Sequence, residues 1–304
     1  MPKLQSFIAA GLATVVAAAL AGCAPAVPAA PDDRPVVLTT FTVIADMVRQ
    51  VAGDEVRVES ITKVGAEIHG YEPTPSDLRD AESADLILDN GFGLERWFED
   101  FVARLDVPHA VLTDGIEPID ISKGEYEGKP NPHAWMSPIA GQTYVDNIAA
   151  ALTTLAPESA DVFATNAAEY KAELQAAADD LVAAIEVLPA AQRVLVTCEG
   201  AFSYLARDLG LTEGYLWPVN SDTQGTPQQI KAAIDLVRER SVPAVFCEST
   251  VNDSSMQQVA RESGARYAGA LFVDSLSEAD GAVPSYLKLL RYDIDLIVAG
   301  LADE

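Results

Sequence analysis

Residues 167–188, with the sequence AAEYKAELQAAADDLVAAIEVL, decide the architecture of this chain. The stretch is rich in alanine and contains neither glycine nor proline, so it predicts one helix that is long for a globular protein. A shorter alanine-rich helix over 148–155 precedes it and is broken at Pro157. A coiled coil is the alternative interpretation, but the heptads are too few. We therefore interpret 167–188 as a rigid helix that joins two halves of the chain.

On both sides of this helix, short apolar runs alternate with segments of helical spacing. Strands are predicted at 36–39, 55–61, 85–88 and 109–112 before the helix, and at 193–197, 244–247 and 266–273 after it. In the first half, helices are predicted at 41–51 and 94–105. In the second half, one helix is predicted to begin at the N-cap pair Thr226-Pro227, and another at 252–261 to end at Gly264. The last predicted helix, 284–301, has an inward face formed by Leu287, Leu290, Ile294, Ile297 and Leu301. This alternation predicts an α/β fold with parallel sheets that carry helices on both faces.

The domain organisation follows from these patterns. A length of 304 residues suits about two domains. We expect a leader at 1–22, a Pro/Ala-rich tether at 23–35, an N-terminal α/β lobe at 36–137, a linking region with the long helix at 138–190, and a C-terminal α/β lobe at 191–304.

The N-terminus has the features of a secretion signal. Lys3 precedes an apolar run that is too short to cross a bilayer comfortably, and the run ends in Leu20-Ala21-Gly22-Cys23. These small residues before a cysteine resemble the lipobox of bacterial lipoproteins, in which the cysteine is acylated. An uncleaved anchor helix is the alternative. The proline-rich tether that follows would span roughly 35–40 Å in an extended form. We expect an extracytoplasmic protein that is lipid-anchored to the bacterial cell membrane through Cys23.

The overall charge excludes some classes of partner. With 20 Lys and Arg against 46 Asp and Glu, the formal net charge is −26, so nucleic acid is not an expected partner. An acidic surface attracts cations, although it could serve only solubility. Three cysteines in the whole chain exclude a disulfide-rich small scaffold.

Four polar side chains stand where predicted strands end or in loops rich in turn-forming residues. His69 and His133 lie in such loops of the first half, while Glu199 and Asp274 close apolar strands of the second half. Ligands of open α/β sheets bind beyond the carboxyl ends of the strands. Imidazole and carboxylate suit a divalent cation. The third histidine, His109, begins an apolar run, and we interpret it as a partly buried or surface residue.

The motifs around these residues resemble those of the metal-binding solute receptors of manganese and zinc ABC importers. The matching stretches are His69-Gly70-Tyr71-Glu72-Pro73-x-Pro75-x-Asp77, Asn131-Pro132-His133-x-Trp135, Glu199-Gly200-Ala201-Phe202-Ser203-Tyr204 and Asp274-Ser275-Leu276-Ser277. The resemblance covers residues 36–301. It implies an α/β fold of two Rossmann-like lobes joined by one long helix, with a metal ion in the cleft between them. The ligands that it implies are His69, His133, Glu199 and Asp274.

The resemblance also bears on the choice of metal. Zinc members of the family have a histidine where this chain has Glu199, and they commonly carry a histidine-rich loop that this sequence lacks. Two histidines with two carboxylates neutralise a divalent ion and suit a higher coordination number than tetrahedral zinc prefers. We therefore expect Mn²⁺, with Fe²⁺ second and Zn²⁺ third.

Some manganese receptors, notably of the cyanobacterial type, have a cysteine beside the glutamate ligand that pairs with a second strand-end cysteine. The resemblance therefore implies a disulfide between Cys198 and Cys247, which would restrain the neighbouring Glu199. Two buried free thiols are the alternative.

The function predicted from these features is metal capture outside the membrane and delivery to an ABC permease and its ATPase, by a protein expected to be a monomer and not an enzyme. One alternative is a metal-dependent extracellular hydrolase or redox enzyme, which would need an open coordination position and an acid or base such as Glu67 or Glu72. The others are an adhesin with a structural metal and a receptor for a metal chelate.

Overall fold

The computed structural model of the chain describes residues 32–102, 104–124, 126–219 and 225–302, with the side chains of 99 and 100 left out. The predicted leader, the lipidation site Cys23 and the first part of the tether lie outside the described residues. Within those ranges no helix combines the length and the apolarity that a bilayer crossing requires. From Arg34 onward, the described residues form one compact unit. The lobe boundaries at 137 and 190 stay a prediction.

The N-terminal half is built on a parallel sheet whose described part has four strands. The strands are β1 (Val36–Thr39), β2 (Arg57–Ser60), β3 (Leu86–Asp89) and β4 (His109–Val111), in the spatial order β2-β1-β3-β4. Val37 and Leu88 point into the main core, whereas Leu38 and Ile87 point into a smaller cluster on the opposite face. Because successive strand residues face opposite sides, the apolar runs at both central strands require cover on both faces.

Helices supply that cover. Helix α1 (Thr42–Ala52) packs on the main-core face. Helices α2 (Pro75–Ser83) and α3 (Arg96–Val102) close the smaller cluster with Ala81 and Phe98. Helix α2 begins at Thr74, whose hydroxyl accepts from the Asp77 backbone N–H in a capping box.

The long connecting helix is confirmed. Helix α4 (Pro138–Leu155) is followed by a short turn of 3₁₀ helix at Pro157–Ser159, and helix α5 (Ala160–Glu186) then runs for 27 residues. Its buried face includes Phe163, Tyr170 and Leu174. Helix α5 contacts α1 and α4 on one side, and the helices α6 (Ser203–Leu209) and α9 (Tyr286–Leu301) of the second half on the other. It therefore packs against both halves.

The described part of the C-terminal half holds two pairs of parallel strands. They are β5 (Val194–Glu199) with β6 (Thr212–Trp217), and β7 (Ala244–Glu248) with β8 (Arg266–Leu271). Strand β6 was not predicted, because Glu213 and Gly214 interrupt its apolar pattern. A side chain at Gly214 would collide with Leu236 of helix α7 (Pro227–Arg240), so the glycine lets that helix pack closely on the strand.

Two helix ends in this half agree with the sequence, and one helix face differs. Thr226 forms a capping box with Gln229 at the start of α7, and Gly264 ends helix α8 (Ser254–Ser263) in the left-handed conformation at φ 89°. In α9, Leu287 is only partly buried and Leu289 takes the buried position instead. The predicted α/β fold with parallel sheets is confirmed.

The structure contains the predicted disulfide between Cys198 of β5 and Cys247 of β7, with a sequence separation of 49 residues. It ties the two strand pairs together one residue before Glu199. Closure of a loop of this length lowers the entropy of the unfolded chain by an amount worth about 4 kcal/mol.

Replacing Cys247 by Ser is expected to lower the free energy of unfolding by up to about 4 kcal/mol, because the loop constraint on the unfolded chain is lost. Urea unfolding of the metal-free protein measures this change. We also expect a lower metal affinity, since the end of β5 loses its covalent link to β7. A variant that unfolds earlier but binds metal as tightly as the wild type would show that the disulfide does not restrain Glu199.

Candidate metal site

The four side chains predicted as ligands converge on one point. One donor atom from each of His69, His133, Glu199 and Asp274 lies within 4.8 Å of the donors of the other three. The His69 and His133 Nε2 atoms are 3.0 Å apart, and Glu199 Oε1 lies 3.2 Å from the first and 3.6 Å from the second. The site is closed to solvent, with the His69 side chain 7% exposed and the other three fully buried.

The four converging residues lie in loops or at strand ends, as predicted. His69 lies in the loop after β2, and His133 lies between β4 and α4. Glu199 is the last residue of β5, and Asp274 stands three residues after β8. Parallel strands place these ends on the same side of each half, so the site lies between the two halves.

The loop of His69 is held by hydrogen bonds on both of its sides. Glu67 Oε1 accepts from His69 N at 2.7 Å, and Glu67 Oε2 accepts from Gly70 N at 2.9 Å. Trp97 Nε1 donates to Ile68 O at 2.9 Å. The position of His69 therefore depends on Glu67 and Trp97 and not on regular secondary structure.

Asn131 fixes the orientation of the His133 ring. Its Oδ1 accepts from His133 N at 3.0 Å and lies 2.8 Å from His133 Nδ1. Since an amide oxygen only accepts, Nδ1 carries the ring proton and Nε2 presents its lone pair to the site. This is the tautomer that metal binding through Nε2 requires.

The two carboxylates are held differently. Glu199 is held through its backbone N–H, which donates to both carboxyl oxygens of buried Glu248 at 3.2 Å. Asp274 accepts from Thr250 Oγ1 at 3.0 Å through Oδ2, while its buried Oδ1 has no hydrogen-bond partner among the described residues. A buried carboxylate oxygen without a donor is costly, and a cation would satisfy it.

Burial sets the protonation of the site. It lowers the pKa of His69 to about 4 and holds the pKa of His133 well below its usual range, with the nearby His69 adding to the second effect. Burial, with the charge of Glu67, raises the pKa of Asp274 to about 8. At neutral pH both rings are therefore neutral and ready to bind a metal, whereas Asp274 holds a proton that a metal ion must displace.

Other residues singled out from the sequence do not join the site. His109 pairs with Asp89 at the edge of the N-terminal sheet, and its side chain is 34% exposed, which agrees with the interpretation of a surface residue. Glu72 is exposed. The sulfur atoms of Cys198 and Cys247 lie near Glu248, but they are bonded to each other and offer no thiolate to a metal.

Two residues that shape the site were not assigned a role from the sequence. Glu248 closes the apolar strand β7 in the same way that Glu199 closes β5, so the same strand-end pattern could have identified it. Burial raises its pKa to about 8. Thr250, two residues further on, carried no signal in the sequence, because its contact with Asp274 depends on the pairing of β7 with β8.

The chain matches one family model over most of its length. The sequence model of the family described as zinc-uptake complex component A, periplasmic, matches residues 37–300. This range includes all four converging residues and nearly all of the two predicted lobes.

Individual proteins are similar over most of their length. The iron-binding protein YfeA of Yersinia pestis is 51% identical over 265 residues, covering 87% of this chain and 85% of that protein. The manganese ABC transporter substrate-binding lipoprotein PsaA of Streptococcus pneumoniae is 32% identical over 277 residues, covering 88% of this chain and 89% of that protein. The Mn-bound structure of a periplasmic metal binding protein from Candidatus Liberibacter asiaticus has a TM-score of 0.81 and 37% identity, covering 88% of this chain and 100% of that chain.

Proposed function

Since this chain belongs to the family of periplasmic metal-binding receptors of ABC importers, we propose that it captures Mn²⁺ outside the cytoplasm and delivers the ion to an ABC permease. The observation that carries the proposal is the convergence of two imidazoles and two carboxylates in one buried site. Their summed charge balances a divalent ion, and the unpartnered Oδ1 of Asp274 is an oxygen that such an ion would engage.

We propose His69, His133, Glu199 and Asp274 as the ligands. Each carboxylate can offer two oxygens, which gives the site more donors than a tetrahedral zinc site uses. Oxygen-rich donor sets suit Mn²⁺. Fe²⁺ is the second candidate, favoured by the 51% identity to a protein described as iron-binding. Tight binding of Zn²⁺ in solution would be compatible with either role, because Zn²⁺ has the higher intrinsic affinity for most such sites.

The surroundings of the site favour binding over catalysis. A catalytic metal needs an open position and a nearby acid or base. Glu67 is engaged with the backbone N–H groups of His69 and Gly70, and Glu248 is engaged with that of Glu199. We therefore propose a receptor and not an enzyme.

Release requires that a ligand move away from the ion. Helix α5 packs against both halves, which opposes a large hinge motion between the proposed lobes at 36–137 and 191–304. The loops of His69 and Asp274 meet through the hydrogen bond from Gly65 N to Ser275 Oγ, at 2.7 Å. We propose that the transporter opens this contact and withdraws one or both of these ligands.

The proposed partners follow from the same role. They are the permease and its ATPase, together with the membrane surface through a lipid on Cys23. We propose that the receptor acts as a monomer, since all four ligands come from one chain.

Metal competition tests the proposed function. The protein is produced from the residue after Cys23, stripped with a chelator, and loaded with Mn²⁺, Fe²⁺ and Zn²⁺ separately and in competition. We expect about one tightly bound Mn²⁺ per chain, as one closed site implies. Binding of Zn²⁺ without measurable Mn²⁺ binding would identify a zinc receptor, and absence of any stoichiometric metal would contradict the receptor function.

A further inference from the structure

Each of the four proposed ligands stands next to a backbone carbonyl that accepts a hydrogen bond from a side-chain N–H. The pairs are Trp97 Nε1 to Ile68 O at 2.9 Å, Asn90 Nδ2 to Pro132 O at 3.0 Å, Asn131 Nδ2 to Gly200 O at 2.6 Å, and Trp135 Nε1 to Val273 O at 3.1 Å. The four carbonyls belong to the residues immediately before or after the ligands. They lie outside the strands. Ile68 O and Pro132 O also accept from the backbone N–H groups of Tyr71 and Ala134, at 3.3 and 2.9 Å.

Two of these donors belong to one short segment that crosses between the halves. Residues 131–135, here called the tie segment, carry His133 at their centre and the donors Asn131 and Trp135 at their ends. Asn131 reaches the carbonyl beside Glu199, and Trp135 reaches the carbonyl beside Asp274. One ligand of the first half is therefore linked to both ligands of the second half within a single stretch of backbone.

The tie segment leaves little room for adjustment. Asn131 is 3% exposed and uses both ends of its amide: Oδ1 accepts from His133, and Nδ2 donates to Gly200 O and to Ser203 Oγ. Trp135 is fully buried. Any shift of the Glu199 or Asp274 loop relative to His133 would leave buried N–H groups without acceptors, which is costly.

A fixed separation between imidazole and carboxylates matters more for one metal than for another. Zn²⁺ binds strongly to four donors in a compact tetrahedron and lies near the top of the intrinsic affinity order. Mn²⁺ lies at the bottom of that order and gains affinity from additional oxygen donors. A site that fixes Glu199 and Asp274 relative to His133 keeps their oxygen donors in place for Mn²⁺, whereas a loosened site can contract around Zn²⁺.

We propose that Asn131 and Trp135 are positioning residues that set the distance from His133 to Glu199 and Asp274, and that this distance favours Mn²⁺ over Zn²⁺. This inference rests on the proposed function. The inference goes beyond the proposed function because it assigns metal selectivity to two residues that do not themselves bind the ion.

The test measures Mn²⁺ and Zn²⁺ affinity in Asn131→Ala and, separately, in Trp135→Phe. The second substitution removes the indole N–H and keeps a single aromatic ring in place of the two fused rings. Outer-shell partners of metal ligands typically contribute 10- to 100-fold to affinity, so we expect Mn²⁺ affinity to fall by about that factor. Zn²⁺ affinity should fall by less, and the low-temperature electron paramagnetic resonance spectrum of bound Mn²⁺ should broaden as the ligand geometry becomes heterogeneous.

Asn147→Ala is the matched control. Asn147 also donates its amide to two backbone carbonyls, those of Leu112 and Asp114, both at 2.9 Å, and neither lies beside a ligand. The Asn147→Ala substitution should leave the ratio of Mn²⁺ to Zn²⁺ affinity at the wild-type value. Thermal unfolding in chelator shows that each variant is folded, and the two tie-segment variants serve as independent tests should one of them fail to fold.

The outcomes separate this inference from the function on which it rests. If the wild type binds Mn²⁺ and both variants lose Mn²⁺ and Zn²⁺ affinity by the same factor, or lose neither, the selectivity role is overturned while the receptor function stands. If the wild type binds neither metal, the receptor function and the selectivity role are both overturned. A selective loss of Mn²⁺ in the variants and not in Asn147→Ala supports the inference.

Discussion

Replacing Glu199 by Gln is expected to abolish tight metal binding. The substitution keeps the shape of the side chain but removes one of the two negative charges that balance the ion in a fully buried site. Removing one partner of a buried ion pair typically costs about 3–5 kcal/mol, which corresponds to a factor of roughly 100 to 5,000 in affinity. Isothermal titration with Mn²⁺ measures this loss.

A surface substitution with the same change of charge serves as the control. Asp146 is 59% exposed and pairs with Lys171 on helices α4 and α5, away from the site. Asp146→Asn changes the net charge of the protein by the same amount and should bind Mn²⁺ like the wild type. If Glu199→Gln retained wild-type affinity, Glu199 would not be a ligand, and the proposed site would lose one of its two charges.

Metal affinity is expected to rise with pH through the neutral range. In the metal-free protein, burial and the charge of Glu67 raise the pKa of Asp274 to about 8, so this carboxyl is protonated at pH 7 and must lose its proton to bind metal. Affinity should therefore rise about tenfold per pH unit up to about pH 8 and then level off. His69, with its pKa lowered to about 4 by burial, is already neutral across that range and adds nothing to the slope.

Calorimetry in buffers of different ionisation enthalpy measures the proton directly, with about one released per Mn²⁺ bound at neutral pH. Asp274→Asn, which has no such proton to lose, should bind weakly and with a flat pH dependence. Asp146→Asn should keep the wild-type slope, because the Asp146 side chain is 59% exposed and pairs with Lys171 on the surface. A wild-type affinity that is constant in the neutral range and falls only in acid would assign the titration to the histidines instead.

The sequence was sufficient for most of the fold because the deciding signals are local. The apolar strands, the glycine-free stretch of α5 and the cap at Thr226 are each contained in a few consecutive residues. Strand β6 was missed because its central glycine is explained only by the approach of Leu236 from a helix further along the chain. The inward face of α9 was partly misplaced, with Leu289 buried in place of Leu287.

The candidate site also has a part that the sequence predicts and a part that it does not. Its four central residues could be predicted from strand ends and from the family resemblance, and the structure brings all four together. The contacts that hold these residues could not be predicted, since those of Glu248 with Glu199 and of Asn131 with Gly200 join residues 49 and 69 positions apart. Such contacts exist only after the strands have been placed side by side.

The most direct test of the account is to locate the metal. Crystals of the Mn²⁺-loaded protein, measured at wavelengths on both sides of the manganese absorption edge, would show the ion as an anomalous difference peak. The account predicts one peak, within bonding distance of Nε2 of His69, Nε2 of His133 and the carboxylate oxygens of Glu199 and Asp274. A peak at any other place, or a Mn²⁺-saturated protein with no peak among these four side chains, would contradict it.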